Sequence, residues 1–288
     1  NLKFPLEKFR DKYYLIACDG SEFNIARNPN NPDTYHEPNG KSASGFNMIH
    51  TISLYEVCSK RYLDLEVQPG RRKNEFHAIC NLMDRYAYGG HPIFIADRGF
   101  SSYNVFAHAI ENQIDFIIRA KDLNVQRFLR VNSLPDKLDT TVELILTRTQ
   151  SKKKHQHPEK EAQYRYICKN IAFDYLDPND ISDEYRLKLR IVRFEVADGI
   201  FENIITTLSE EDFTSDDIKY CYNLRWGIET SFRDLKHTIG ATNFHSKKTE
   251  FVTLELWSRL ILYNFCSIII LHVPIKHKNR KHEYQVNF

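Results

Sequence analysis

Four residues of the stretch YNLRWGIETSFRDLK, Tyr222, Arg225, Glu229 and Lys236, stand at offsets zero, three, seven and fourteen. At roughly 100° per residue in a helix, Arg225, Glu229 and Lys236 fall roughly 60°, 20° and 40° from Tyr222, all in one direction, and Arg233 roughly 20° to the other side. The spacing therefore predicts one polar stripe holding two arginines, a lysine, a tyrosine and a single acid. Such a stripe has two readings. In one it is a solvated face on which Glu229 pairs with Arg225 or Arg233 at helical spacing. In the other the cations and the phenol grip phosphates while the lone carboxylate holds a metal ion.

Two aspartates share a comparable setting. Asp19 follows the apolar run Tyr13 to Cys18 and precedes Gly20; Asp97 follows Pro92 to Ala96 and is followed by Arg98 and Gly99. Both are expected at the carboxyl end of a strand next to a glycine turn, where α/β sheets collect ligand-binding groups. With Glu229 they make three hard oxygen donors on separate elements, the type of set that binds Mg²⁺ or Mn²⁺. Two such ions clamp the attacking and leaving oxygens of a phosphodiester and activate a water, so no side-chain nucleophile is required. Nearby cations would hold the strand by its phosphates. Asp19-Gly20-Ser21 also admits an aspartyl-phosphate reading, but that chemistry needs a second aspartate two positions upstream, and Ala17 stands there.

The elements that position these residues are legible in outline. Strands are expected over Tyr13 to Cys18 and Glu22 to Ile25, with a hairpin of Asn47 to Val57 and Tyr62 to Val67. A helix is expected over Lys73 to Tyr86, with Phe76, Ile79, Cys80 and Met83 on one side. Then come the strand before Asp97, a helix capped by Ser101 or Ser102 and running to about Asn112, and a strand over Phe116 to Arg119. From Lys121 to about Asp212 the pattern turns strand-like, at Val142 to Thr147, Tyr164 to Cys168, Leu187 to Val196 and Ile204 to Leu208. The helix carrying the polar stripe is expected to start at Thr214 or Ser215 and to stop at Gly240. A second helix, Phe251 to Val273, is nearly long enough to cross a bilayer, but Glu255, Arg259 and His272 interrupt it; it reads as a buried core helix, with no membrane partner.

Composition adds bounds. At 288 residues with 40 Lys and Arg against 38 Asp and Glu, the net charge of +2 decides nothing about nucleic acid. Local charge is more informative: from Lys219 to Lys248 six Lys or Arg face two acids. The end of the chain adds Lys276, Lys278, Arg280 and Lys281 against Glu283. The six cysteines form no Cys-x-x-Cys pair and no secretory signal opens the chain, which suits a reducing cytoplasm.

The contexts Ile16-Ala-Cys-Asp-Gly-Ser21 and Ile95-Ala-Asp-Arg-Gly-Phe100, with the Tyr222, Arg225, Glu229, Lys236 spacing, resemble the DDE transposases of bacterial insertion sequences, specifically the family numbered four with its Y-R-E-K signature. Phe116 to Lys121 and Gly240 to Lys248 extend the resemblance over nearly the whole chain. It implies an α/β, ribonuclease-H-like core (1–120 and 213–275) interrupted by a β-rich insertion (121–212) and followed by a basic tail (276–288). It implies Asp19, Asp97 and Glu229 as catalytic metal ligands for Mg²⁺ or Mn²⁺, two ions in all. Tyr222, Arg225 and Lys236 carry over as DNA contacts, with Arg233 and Trp226 beside them. The implied reaction is hydrolytic nicking at the element's end, followed by attack of the freed 3′-hydroxyl on DNA, by a homodimer on paired transposon ends. Family members carry a helical end-recognition domain ahead of Asp19, which this sequence is expected to lack. Two alternatives remain open at this stage: a catalytically silent DNA-binding remnant, and a ribonuclease-H-like nuclease of other specificity.

Overall fold

The structure, a computed structural model, describes residues 5–40 and 42–273; the basic tail at 276–288 lies outside the described residues. In chain order the elements are β1 (Tyr13–Ile25), β2 (Tyr35–His36), β3 (Phe46–Glu56), β4 (Arg61–Pro69), α1 (Glu75–Asp84), β5 (His91–Ala96), α2 (Tyr103–Glu111), β6 (Asp115–Ala120), α3 (Asp122–Leu129), β7 (Leu138–Thr147), β8 (Tyr164–Tyr166), β9 (Glu184–Ala197), β10 (Ile200–Thr206), α4 (Ser215–Leu224), α5 (Trp226–His237) and α6 (Thr249–Leu271). The architecture is mixed α/β, as the sequence pattern requires. The chain forms two compact units, one from the residues up to Ala78 together with those from Leu224 onward, the other from Ile79–Asn223.

In the first unit β3 is the central strand. It pairs antiparallel with β1 over Asn47 to Glu56, with β4 over Ile49 to Glu56, and with the short β2. One face of this sheet is covered by α5 and α6. Ala17, Phe23, Ile49, Tyr55, Tyr62 and Leu65 pack against Ile228, Phe232 and Leu235 of α5 and against Val252, Leu256, Leu260 and Tyr263 of α6. The buried α5 residues Ile228, Ser231, Phe232 and Leu235 recur at three- and four-residue steps, the signature of a helix with one face in a core. Three tyrosines fix the docking. Tyr55 and Tyr62 each lie edge-on to Tyr263, and the Tyr55 and Tyr263 hydroxyls are 3.2 Å apart. Ser231 Oγ donates to the Ile228 carbonyl at 2.7 Å, so the Tyr62 hydroxyl, 2.7 Å away, donates to Ser231. A hydroxyl pair buried at a helix–sheet contact specifies one seating of α5, because any slip would leave two polar groups unpaired.

In the second unit β5 and β6 run parallel, joined by α2, and β10, β9 and β7 follow in antiparallel succession, with β8 parallel to β7. The strand-rich character expected from Lys121 onward is present, and α3 at its start was not foreseen. Phe106 of α2 stacks on Phe116 of β6 with centroids 5.1 Å apart, and both are fully buried.

Four expectations are corrected. β1 does not stop at Asp19-Gly20 but continues paired to Ile25. The helix expected from Thr214 to Gly240 is divided at Arg225 into α4 and α5. And α6 is not a fully buried helix: Val252, Leu256, Leu260, Tyr263 and Ser267 form one buried stripe, while Leu254, Ile261, Phe265 and Ile269 are half or more exposed. By length and composition α6 is long and apolar enough to cross a membrane, and most of it is not buried. Phe76 of α1 likewise turns outward although Ile79, Cys80 and Met83 are buried.

Candidate active site

Asp19 lies in the middle of β1, opposite Ser53 of β3. Its neighbours Ala17 and Cys18 are fully buried, while its own side chain stays 23% exposed and its Oδ1 accepts the Gly20 amide at 2.8 Å. The reason for glycine at position 20 is packing rather than turning. A Cβ there would stand 2.9 Å from His50 Cε1 and 3.2 Å from Ile52 Cδ1, so only glycine lets β1 and the buried His50 of β3 approach as they do. Sequence reasoning missed His50 and the charged group around it. Its Nε2 is 3.2 Å from Glu75 Oε1, and Lys73 Nζ lies 3.0 Å from Glu22 and 3.4 Å from Glu75. Burial, reinforced by Lys73, holds the His50 imidazole below its usual pKa. The only sequence signal was the alternation that puts Glu22 opposite His50 in the strand register.

Asp97 follows β5 as expected. It caps the short 3₁₀ turn Arg98–Phe100, Oδ1 accepting the Gly99 amide at 2.7 Å. Ser102 then caps α2, Oγ accepting from the Val105 amide at 3.3 Å.

Arg225 sits at the joint between α4 and α5 with helical backbone angles. Its guanidinium bridges two of the three carboxylates singled out in the sequence. Nη1 donates to Asp19 Oδ2 at 3.3 Å and Nη2 donates to Glu229 Oε1 at 2.8 Å. Its side chain is 8% exposed, against 38% for Glu229. A guanidinium so deeply buried needs opposite charge beside it, and the fork geometry of arginine serves two acceptors at once. The Glu229 to Arg225 pairing of the solvated-face reading is thus real, but it is drawn inward by Asp19 from the sheet. The guanidinium carbon also lies 5.2 Å from the centre of the Trp226 ring, and Trp226 is 59% exposed.

The rest of the stripe is distributed unevenly. Tyr222 is buried on α4 at 4% exposure, so its phenol is not a surface group. The Arg233 side chain is open to solvent. Lys236 is half-buried with its ammonium 5.0 Å from the centre of the Phe23 ring, and burial lowers its pKa against the opposing pull of Glu22.

The model of a known protein family, described as the transposase DDE domain, matches residues 10–265, a span that contains all three acids and Lys236. The chain belongs to the transposase DDE domain family. The curated relatives of this DDE domain include the putative transposase InsL of insertion sequence element IS186A of Escherichia coli K12 and the transposase of insertion sequence element IS421 of Escherichia coli. Each is 24% identical over 195 residues, which cover 62% of this chain and 51% of the relative. The chain therefore spans about half the length of the curated relatives it matches. Among solved structures, the piggyBac transposase synaptic complex with hairpin DNA aligns at a TM-score of 0.47 and 10% identity, over 88% of this chain and 46% of that one.

The donor chemistry of the DDE domain fits a divalent ion in part. Among the described residues no three His, Cys, Asp or Glu side chains are grouped so as to hold a metal. Yet carboxylate oxygens of Asp19 and Glu229, one from a strand and one from a helix, already converge on a single positive group, the Arg225 guanidinium. Hard anionic oxygens directed at one point are what Mg²⁺ and Mn²⁺ require.

Proposed function

We propose that this chain is the catalytic domain of an insertion-sequence transposase of the family numbered four, built on a ribonuclease-H-like core, that cuts DNA strands at the ends of its element and joins the freed 3′-hydroxyl to new DNA. The observation that carries the reading is the convergence of Asp19 and Glu229 on one cation within a chain belonging to the DDE family. The named relatives are transposases of insertion sequences, which supports the same substrate class.

On this reading Asp19, Asp97 and Glu229 are the carboxylates that hold two Mg²⁺ or Mn²⁺ ions. Bound there, the ions would lower the pKa of an attacking water and steady the charge on the attacking and leaving oxygens. The chain's own residues do the rest. β1 fixes Asp19 through paired neighbours on both sides, and the Tyr62 to Ser231 bond fixes the helix that carries Glu229. Arg233 and Lys236 supply positive charge for the phosphate backbone, Arg225 joins them when it is released from Asp19 and Glu229, and exposed Trp226 offers a flat surface to a base or sugar. Tyr222 completes the signature but is buried on α4, so any contribution it makes to DNA binding is indirect. Two copies acting on paired ends complete the proposal.

Mn²⁺-dependent nicking of supercoiled plasmid by the purified chain tests it, with Asp97→Ala and Glu229→Gln alongside. Nicking is expected for the wild type and in neither variant. Cleavage that survives Glu229→Gln would refute the assignment of the acids.

A further inference from the structure

We infer that Arg225 is an exchangeable internal counter-ion, holding Asp19 and Glu229 together when no divalent ion is bound and giving up both carboxylates when one arrives. The inference rests on the proposed metal site and adds a role for a residue that cannot itself be a ligand.

Three observations lead to it. The guanidinium lies between the two carboxylates, Nη1 3.3 Å from Asp19 Oδ2 and Nη2 2.8 Å from Glu229 Oε1, and neutralises both. It remains charged at any working pH and has no lone pair to offer a metal, so it competes with the ion rather than assisting it. A Mg²⁺ or Mn²⁺ ion takes carboxylate oxygens at about 2.0–2.2 Å, inside the space the two Nη groups now hold by hydrogen bonds. Ion and guanidinium therefore exclude each other from the same pair of oxygens.

A displaced Arg225 has somewhere to go. The Trp226 ring lies 5.2 Å from the guanidinium carbon and is itself 59% exposed, so an outward swing keeps the cation against an aromatic face while its donors turn to solvent. A guanidinium on that surface can fork onto a phosphate, which it cannot do while it bridges Asp19 and Glu229. Metal loading then releases a DNA-binding group. By reciprocity, phosphate bound to Arg225 favours metal loading.

Arg225→Gln removes the charge and leaves a shorter, neutral polar side chain. Mn²⁺ binding by the purified chain, read from the free-ion electron paramagnetic resonance signal without DNA or turnover, should tighten about tenfold in this variant. Its melting temperature without metal should fall, since two carboxylates lose their counter-ion, and should recover in saturating Mn²⁺. Arg225→Lys retains the charge but offers a single ammonium to two acceptors, so its Mn²⁺ affinity should lie between the other two; it also serves if the glutamine variant does not fold. Affinity in Arg225→Gln equal to or weaker than wild type overturns the inference and leaves the metal site standing. Absence of Mn²⁺ binding in the wild type, or binding unaffected by Asp19→Asn, overturns the metal site and this inference with it.

Discussion

Gly20→Ala tests why a glycine follows the first aspartate. The substitution asks for no unusual backbone, since β1 is regular and paired on both sides of the position. What it meets is side chain. The new methyl would lie 2.9 Å from His50 Cε1, 3.1 Å from His50 Nε2 and 3.2 Å from Ile52 Cδ1, against an ordinary carbon contact of about 3.5–4.0 Å. His50 is 3% exposed and Ile52 not exposed at all, so neither can swing into solvent. Overpacking of this kind costs about 1–3 kcal/mol, offset by about 0.5–1 kcal/mol because alanine loses less backbone entropy than glycine in a strand. The net expectation is destabilisation by about 1–2 kcal/mol, or a melting temperature lower by about 2–8 °C. Thermal unfolding followed by circular dichroism measures it, in the wild type and in a His50→Ala background. If the clash is with His50, the alanine at position 20 should cost much less once the imidazole is gone. A Gly20→Ala protein that melts at or above the wild-type temperature, or a cost of equal size in both backgrounds, would refute the packing explanation.

The other expected outcomes concern charge and surface. His108 bridges Asp84 at 2.7 Å and Asp174 at 2.9 Å; burial alone would depress its pKa, but the two carboxylates outweigh burial and raise it. Its contribution is therefore complete below the unfolded value of about 6.5 and fades as pH rises through the raised folded value, so the melting temperature of the wild type should fall more steeply above neutrality than that of His108→Gln. Hydrogen bonding from Ser246, first through its side chain, and from the His245 amide at 3.0 Å holds the Glu255 carboxyl at a pKa of about 2, with the Ser246 amide at 2.7 Å adding to it. That contribution is present above about pH 4.3 and is lost as pH falls toward the folded value, so Glu255→Gln should show a lower urea midpoint near neutrality and a shallower decline in acid. Trp226→Ala should weaken binding of single-stranded DNA about tenfold in fluorescence anisotropy while leaving the melting temperature unchanged, because the ring is largely exposed; a large drop in stability would assign it to the core instead.

The features that the sequence made legible are those whose causes are local. Asp97 ends an apolar run and caps the turn that follows, and Ser102 caps α2; each signal and its effect lie within a few residues. The hairpin of β3 and β4 was readable for the same reason, as two apolar runs with little between them. Asp19-Gly20 was misread because the cause of its glycine, His50, lies thirty residues away on another strand. The joint at Arg225 was hidden by a pattern that suits one continuous helix; it is the pull of Asp19, more than two hundred residues distant, that turns this arginine inward. On α6 the apolar residues run all round, which reads as full burial, yet Val252, Leu256, Leu260 and Tyr263 are the ones packed into the core, while Leu254, Ile261, Phe265 and Ile269 stay exposed. Tyr222 could not be placed from spacing alone, since polar reach and burial look identical for a phenol in a helical pattern.

The course of β1 through Asp19 also bears on when the site comes into being. A carboxylate carried on a loop must be ordered by whatever it binds, whereas this one is flanked by paired residues from Ile16 to Ile25. Its amide hydrogen should exchange with solvent water only through opening of the sheet, on the slow timescale of the strand's own core rather than of a surface segment. Half of the carboxylate pair is thus assembled as soon as β1 and β3 meet during folding, ahead of any ion or nucleic acid. An arriving ligand then has only side-chain torsions left to select at that position.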